Sequence, residues 1–406
     1  VGDATSAELR RELVEHLRRE GHLTDDRVEA AFLATPREAF LPGHAERHGV
    51  RAVYRDEAIV TRRDARTGTP LSSSSQPAIM ARMLEMLDVE PGQAVLEVGA
   101  GTGYNAALLA QLVGPEGSVT SVDLDRDVAA SARDGLLATR TAVAVVVGDG
   151  RAGVPDVAPL DRIVVTASTP SVPRAWFDQL VPGGLLVVPL RLSTVLFAVQ
   201  AIAVFRKVAA GFDSVGVTAG GFMALRGAGD ARRRERTIVA PESGGGADDR
   251  SLVELWGPAL AALDAPARQR LLVAALGFAR RRPVDLGRAS SWSLAAYAAL
   301  GLPEERLVEC ARPSWTSAGQ LGLGVIDAVD GSVAFLVGGL RRSHIEAHGG
   351  RGAEHTLLNL IDRWRSAGRP GVERLGIRVR YRAERPQAWR SLRRGDQWVA
   401  LDWRPA

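Results

Sequence analysis

Lysine is nearly absent from this chain: Lys207 stands alone among 51 basic residues, and arginine supplies the rest. Cysteine is as scarce. Cys310 is the sole thiol, which excludes an internal disulfide framework and suits a reducing compartment, where a buried structural role is expected for it. No apolar run approaches the roughly 20 residues that span a bilayer, so no membrane helix is expected. Residues 1–6 lack a basic stretch followed by an apolar one, so no secretory leader is expected, and a start at Val1 leaves the natural terminus open. These absences together point to a cytoplasmic protein.

Net charge is small, +4, because 47 acids nearly balance the bases, although the sequence pI is 9.8. A codon bias toward arginine explains this more simply than a nucleic-acid surface does. An arginine-rich surface would also suit an acidic peptide. A length of 406 residues exceeds one typical domain and makes two the natural expectation. Hydrophobic content of 46% and mean hydropathy of −0.01 fit a globular chain with ample core.

The stretch Ala94–Gly103 organises the chain. A short apolar run ends in an acid and breaks into a loop with Gly99, Gly101 and Gly103 at alternate positions, followed by an apolar-periodic segment, Tyr104–Val113. That pattern predicts a buried parallel strand, a tight turn where backbone approaches a ligand, and a helix whose N-terminus faces it. Tyr104 stands where a dinucleotide fingerprint wants its third glycine, so G-x-G-x-x-G fails and G-x-G-x-G holds.

Before this loop, Leu9, Leu13 and Leu17 predict an amphipathic helix over residues 6–20. Thr24 or Asp25 is placed to cap a second helix to Ala34. Residues 51–69 read as irregular, and Leu71–Pro77 as a polar approach to a helix at Ala78–Leu87. After the loop, strands are expected at Ser118–Asp123, Val143–Val147 and Arg162–Thr166, with helices between them and near Arg174–Leu180. Apolar runs at Val195–Val204 and Ser214–Leu225 suggest a closing hairpin. The alternation predicts a doubly wound α/β sheet with an antiparallel edge. Residues 228–250 read as a linker, and 251–406 as an accessory α+β domain with a hairpin turning at Asp330–Gly331.

Asp123 and Asp149 follow successive strands on the carboxyl edge, where such sheets bind ligands. A carboxylate at Asp123 can accept two ribose hydroxyls, and Asp149 is placed to accept from an adenine amine. His344, His348 and His355 find no acid or cysteine that completes a persuasive metal set, and no metal is expected. Trp389, Trp398 and Trp403 are read as packing the small domain rather than stacking bases.

The loop, led by Glu97, resembles the S-adenosylmethionine loop of class I methyltransferases. Residues 1–227 resemble the protein-L-isoaspartate O-methyltransferase family more broadly. The resemblance rests on Pro36–Pro42, Ser75-Gln76-Pro77, Val147–Arg151, Ala158–Asp161 and Asp178–Gly184. It implies a seven-stranded class I sheet with N-terminal helices, and a cofactor, S-adenosylmethionine, that leaves as S-adenosylhomocysteine. It also implies cofactor contacts from Glu97, Gly99, Gly101, Gly103, Asp123, Asp149 and Gly150. Ser75 matches the family serine beside the acceptor carboxylate, with Ser74 and Tyr54 on the substrate side. A carboxylate of pKa about 4 is already the nucleophile at neutral pH, so methyl transfer needs positioning and a dry pocket rather than a general base.

Residues 59–75 depart from the family's small-residue pattern, which points to an altered acceptor. Arg62, Arg63 and Arg66 either grip an acidic peptide or form a solvated loop. The long chain also resembles homologues that methylate one L-aspartate of a ribosomal precursor peptide, acidic or cyclised, leading to a succinimide and then isoaspartate. General isoaspartyl repair is the alternative. A nucleic-acid methyltransferase is disfavoured because Thr166–Pro170 replaces the Asn/Asp-Pro-Pro-aromatic motif, so neither nucleic acid nor membrane is an expected partner. A non-catalytic peptide-binding module is disfavoured by the intact glycines and acids.

Overall fold

The computed structural model describes residues 5–65, 68, 70–193, 199–227, 237–241, 252–261, 263–286, 291–311, 321–338, 343–382 and 384–404. The chain opens with helices α1 (Ser6–Arg19), α2 (Asp26–Ala34), α3 (Pro42–His48) and α4 (Val50–Val53). Thr5 and Glu8 form a reciprocal capping box on α1, and Leu9, Leu13, Val14 and Leu17 supply its buried face. Asp25 caps α2 by accepting from Arg27 and Val28.

The stretch expected to be irregular is not. Ile59–Arg63 (β1) pairs antiparallel with Pro70–Ser74 (β2), so the serine run is a strand that leads directly into α5 (Pro77–Leu87). Serine side chains gave no apolar alternation to signal it.

The α/β core follows as expected through β3 (Ala94–Val98), α6 (Tyr104–Val113), β4 (Ser118–Asp123), α7 (Arg126–Ala138), β5 (Ala144–Val147), β6 (Leu160–Val165), α8 (Arg174–Gln179) and β7 (Leu180–Arg191). The closing hairpin is shifted from the apolar runs that suggested it, to β8 (Gln200–Val208) and β9 (Gly211–Ala219), and residues 195–198 of the first run lie outside the described residues. Strands β5-β4-β3-β6-β7 are parallel, β8 adds antiparallel to β7, and β9 antiparallel to β8. This is the expected class I methyltransferase sheet of seven strands. The crossover direction reverses between β3 and β6, which opens a crevice at their carboxyl ends.

Thr237–Pro241 (β10), inside the stretch expected to be a linker, pairs with Leu252–Trp256 (β11). These begin a second, antiparallel sheet that also holds β12 (Arg280–Val284), β13 (Leu307–Ala311), β14 (Leu321–Asp327), β15 (Ser332–Gly338) and β16 (Ser343–His348), in the order β10-β11-β13-β14-β15-β16-β12. Helices α9 (Pro258–Ala261), α10 (Ala265–Leu276), α11 (Ser291–Gly301) and α12 (Gly352–Ser366) accompany it. Asp264 caps α10, and the β14–β15 hairpin turns where Asp330–Gly331 predicts.

The last three strands correct the expected domain boundary. β17 (Leu375–Tyr381), β18 (Arg390–Arg394) and β19 (Gln397–Trp403) return to the first sheet, extending it to ten strands in the order β18-β19-β17-β9-β8-β7-β6-β3-β4-β5. The accessory sheet is therefore an insertion between β9 and β17, not an appendage. One apolar cluster runs from Leu186 and Phe205 of the first sheet through Leu294 and Trp364 to Leu336 and Ile345 of the second. Cys310 is buried in a separate cluster with Phe335 and Leu271. Trp389 and Trp403 pack edge to face with centroids 6.0 Å apart.

Candidate functional site

The turn after β3 holds its shape because glycine occupies three positive-φ positions, at 101° for Gly99, 53° for Gly101 and 85° for Gly103. A β-carbon at Gly99 would strike Thr166 Oγ1, and one at Gly103 would sit 2.9 Å from the Ala132 carbonyl oxygen. The loop thus passes close beneath β6 and α7. Gly103 is the N-cap of α6, whose amide end opens on the cleft.

One cleft at the carboxyl edge of the sheet is lined by Leu71–Ser75, Glu97–Thr102, Tyr104 and Asn105, Asp123 and Leu124, and Met223–Arg226, with Gly150, Thr166 and Ala167 among the rest; Gly103 caps α6 without lining it. Ser75, Glu97, Gly99, Gly101, Asp123 and Gly150 are thereby brought to one place. Asp123 accepts from the amides of Gly101 at 3.3 Å and Asp125 at 3.0 Å, one on each oxygen. Each oxygen keeps a lone pair toward the cleft, which suits a vicinal diol. Thr166 Oγ1 donates to the Gly99 carbonyl at 2.7 Å and ties the turn to β6.

Glu97 is fully buried under the turn. It accepts from Asn105 Nδ2 at 2.8 Å and Ser121 Oγ at 2.5 Å. Burial pushes its carboxyl up to about 7 against the pull of those two donors. It braces the strand-to-helix turn as well as lining the cleft.

Asp149 departs from expectation. Arg151, two residues on, donates to both of its oxygens through Nε and Nη2, which holds the carboxylate below its usual range. Only Gly150 of that pair lines the cleft. The arginine in Asp149-Gly-Arg supplies this clamp, and its spacing was visible in the sequence.

The substrate-side residues divide. Ser74 is buried, and its hydroxyl accepts from Arg37. Arg62 does not offer its charge to a peptide: Nη1 reaches Asp125 at 2.6 Å and Nη2 reaches Asp127 at 3.2 Å. Arg63 donates to the Gly68 carbonyl at the hairpin tip. Arg66 lies outside the described residues. Tyr54 is buried away from the cleft, where its hydroxyl donates to Glu38 and accepts from the Arg37 amide.

Sequence reading passed over Arg37, which supports the serine strand from beneath. Its guanidinium, 0% exposed, donates to the carbonyls of Val53, Arg55, Glu57 and Ser75 and to Ser74 Oγ. Asp56 completes the frame by accepting from Gln76 Nε2 at 2.9 Å and the Ala78 amide at 2.8 Å. Ser75 thus sits between two fixed points. The segment Met223–Arg226 was also missed. Backbone bonds with Ser168 at both Met223 and Leu225 hold it over the cleft, and Arg226 reaches Asp125 at 3.7 Å.

The accessory sheet does place an acid among the histidines: on β16, Glu346 lies 3.3 Å from His348 Nε2 and 3.8 Å from His344 Nε2, with Arg281 Nε at 3.1 Å. His355 is exposed on α12. Among the described residues no group of three ligands could hold a metal ion, and no helix is long and apolar enough to cross a membrane.

Comparison with known proteins bears on the same residues. The family model for protein-L-isoaspartate(D-aspartate) O-methyltransferase matches residues 8–219. A protein-L-isoaspartate O-methyltransferase of Aeropyrum pernix is 42% identical over 188 residues, covering 45% of this chain and 67% of the relative. One from Hyperthermus butylicus is 41% identical over 197 residues, covering 45% and 75%. A solved structure titled protein-L-isoaspartate O-methyltransferase aligns over 97% of this chain and 99% of its own, with TM-score 0.52 and 26% identity. That alignment takes in the inserted sheet as well as the matched segment.

Proposed function

Because the chain belongs to the protein-L-isoaspartate(D-aspartate) O-methyltransferase family, we propose that it is a general repair enzyme, methylating isoaspartyl carboxylates wherever they arise in damaged polypeptides. The coarser activity is that of an S-adenosylmethionine-dependent carboxyl methyltransferase. The methyl donor supplies an electrophilic methyl group on a sulfonium.

The residues present fit that donor. The Gly99–Gly103 turn and the α6 amide end suit its amino-acid portion, Asp123 the ribose diol, and Gly150 the base. Asp149 contributes by ordering the turn after β5 through Arg151. Ser75, in the same cleft as Asp123, orients the acceptor carboxylate, while Arg37 and Asp56 hold the backbone on either side of Ser75. Met80, Met223 and Leu225 limit water at the cleft, which favours transfer from a cation to an anion because the charges cancel in the transition state.

The observation that supports the reading is that Ser75 and Asp123 line one cleft together with Gly99 and Gly101 of the glycine turn. Methylation of a single aspartate in a precursor peptide is the second reading. It is suggested by the long chain's resemblance to such homologues; of the three arginines that could grip an acidic peptide, Arg62 is engaged by Asp125 and Asp127, which weighs against it. Labelled S-adenosylmethionine with an isoaspartyl peptide and its aspartyl twin tests the proposal. Base-labile label on varied isoaspartyl peptides is expected, and none on the twins. Label confined to one aspartyl precursor would overturn it.

A further inference from the structure

Arg394, at the end of β18, is 6% exposed, and its Nε, Nη1 and Nη2 have no hydrogen-bond partner. Burial pulls its guanidinium down to about 10, with Glu304 attracting it from beyond ion-pair distance and Arg191 repelling it. A buried cation normally has its charge matched. Five N–H donors without a hydrogen-bond partner mark a place suited to a negative charge.

Its location gives that charge a use. Gln397, opposite Arg394 across β18 and β19, clasps Val172 by accepting from its amide at 3.0 Å and donating to its carbonyl at 2.9 Å. Arg191 donates its amide to Thr169. Ser168, fully buried, has a hydroxyl that also lacks a partner. Residues 168–172 therefore run from the wall of the methyl-transfer cleft, at Thr166 and Ala167, to Gln397, the β19 residue paired with Arg394.

We propose that Arg394 binds an anionic oxygen group, a carboxylate or phosphate, one loop away from the acceptor cleft. Two sources offer such a group: an acidic side chain or terminal carboxylate of the polypeptide being methylated, or a free small anion. The first source rests on the proposed acceptor; the anion site itself does not.

Thermal unfolding of the full chain and of Arg394→Met, in low-millimolar phosphate against chloride at equal ionic strength, tests the site. The wild type is expected to gain several degrees with phosphate. Arg394→Met should ignore phosphate and, in chloride, unfold no lower than wild type, because a buried unpaired charge gives way to apolar volume. A wild type indifferent to phosphate, or a variant that is destabilised and still responds, would overturn the site. Isoaspartyl peptides with and without a flanking glutamate separate the sources. A roughly tenfold rise in KM for the acidic peptide alone, with cofactor affinity unchanged, assigns the site to substrate; unchanged KM with the phosphate response intact assigns it to a free anion. Failure to methylate any isoaspartyl peptide would sink the repair reading and leave the phosphate result standing.

Discussion

Among the described residues, Arg37 and Arg394 are the two deeply buried guanidinium groups of the first sheet and its supports, and they have opposite surroundings. Arg37 reaches five oxygens drawn from Val53, Arg55, Glu57, Ser74 and Ser75, and lies 5.8 Å from the Tyr104 ring centre. Arg394 reaches none. Both are held below the usual arginine range by burial, so desolvation does not distinguish them. The oxygen cage does. Where the chain supplies the acceptors, a buried cation fixes structure; where it withholds them, the cation is available for a visitor.

The largest effect expected from breaking this contrast is at Arg37. Arg37→Met strands buried carbonyls that had donors, so it should cost about 3–5 kcal/mol in denaturant unfolding, opposite in sign to the same change at residue 394. A neutral result would mean the cage is not stabilising. Asp123 comes next, as an acid that accepts from the Gly101 and Asp125 amides and keeps a further lone pair on each oxygen for a ligand. Asp123→Ala should weaken S-adenosylmethionine by about 100-fold in calorimetry, the loss of two charge-assisted hydrogen bonds. Unchanged affinity would refute the ribose placement.

The smallest net effect is at Glu97, a buried acid that has donors and still titrates high. Its folded pKa of about 7 lies above the unfolded value. Its contribution is therefore fully present below the unfolded pKa and is lost as pH rises through about 7. Glu97→Gln should flatten the stability–pH curve between about pH 4.5 and 7, with a net change at pH 8 within about 1 kcal/mol, because the amide cannot accept from both Asn105 and Ser121. A slope that survives the substitution would assign the titration elsewhere.

How much of this was legible follows the same division. The Gly99–Gly103 turn and Asp123 were readable because both depend on local sequence: positive φ demands glycine, and an acid ending an apolar strand announces the carboxyl edge. Arg37 was not, because its five partners come from residues spread between 53 and 75 and no periodicity links them. Tyr54 and Arg62 were misplaced for a related reason. Their type suits a binding surface, but Glu38, Asp125 and Asp127 had already claimed them. The return of β17–β19 to the first sheet was also invisible. It depends on pairings such as Arg378 with Asp213 and on the Ile377 amide meeting Ser214 Oγ, contacts that local patterning does not encode.

That return bears on how the protein comes off the ribosome. When the family-matched segment has emerged, β9 still presents a bare edge, and residues 220–374 must be synthesised before β17 arrives to cover it. A nascent chain with an open strand edge is a target for intermolecular pairing. The inserted sheet therefore imposes a waiting period on the half that binds the methyl donor, during which the β9 edge stays open to such pairing until β17 arrives.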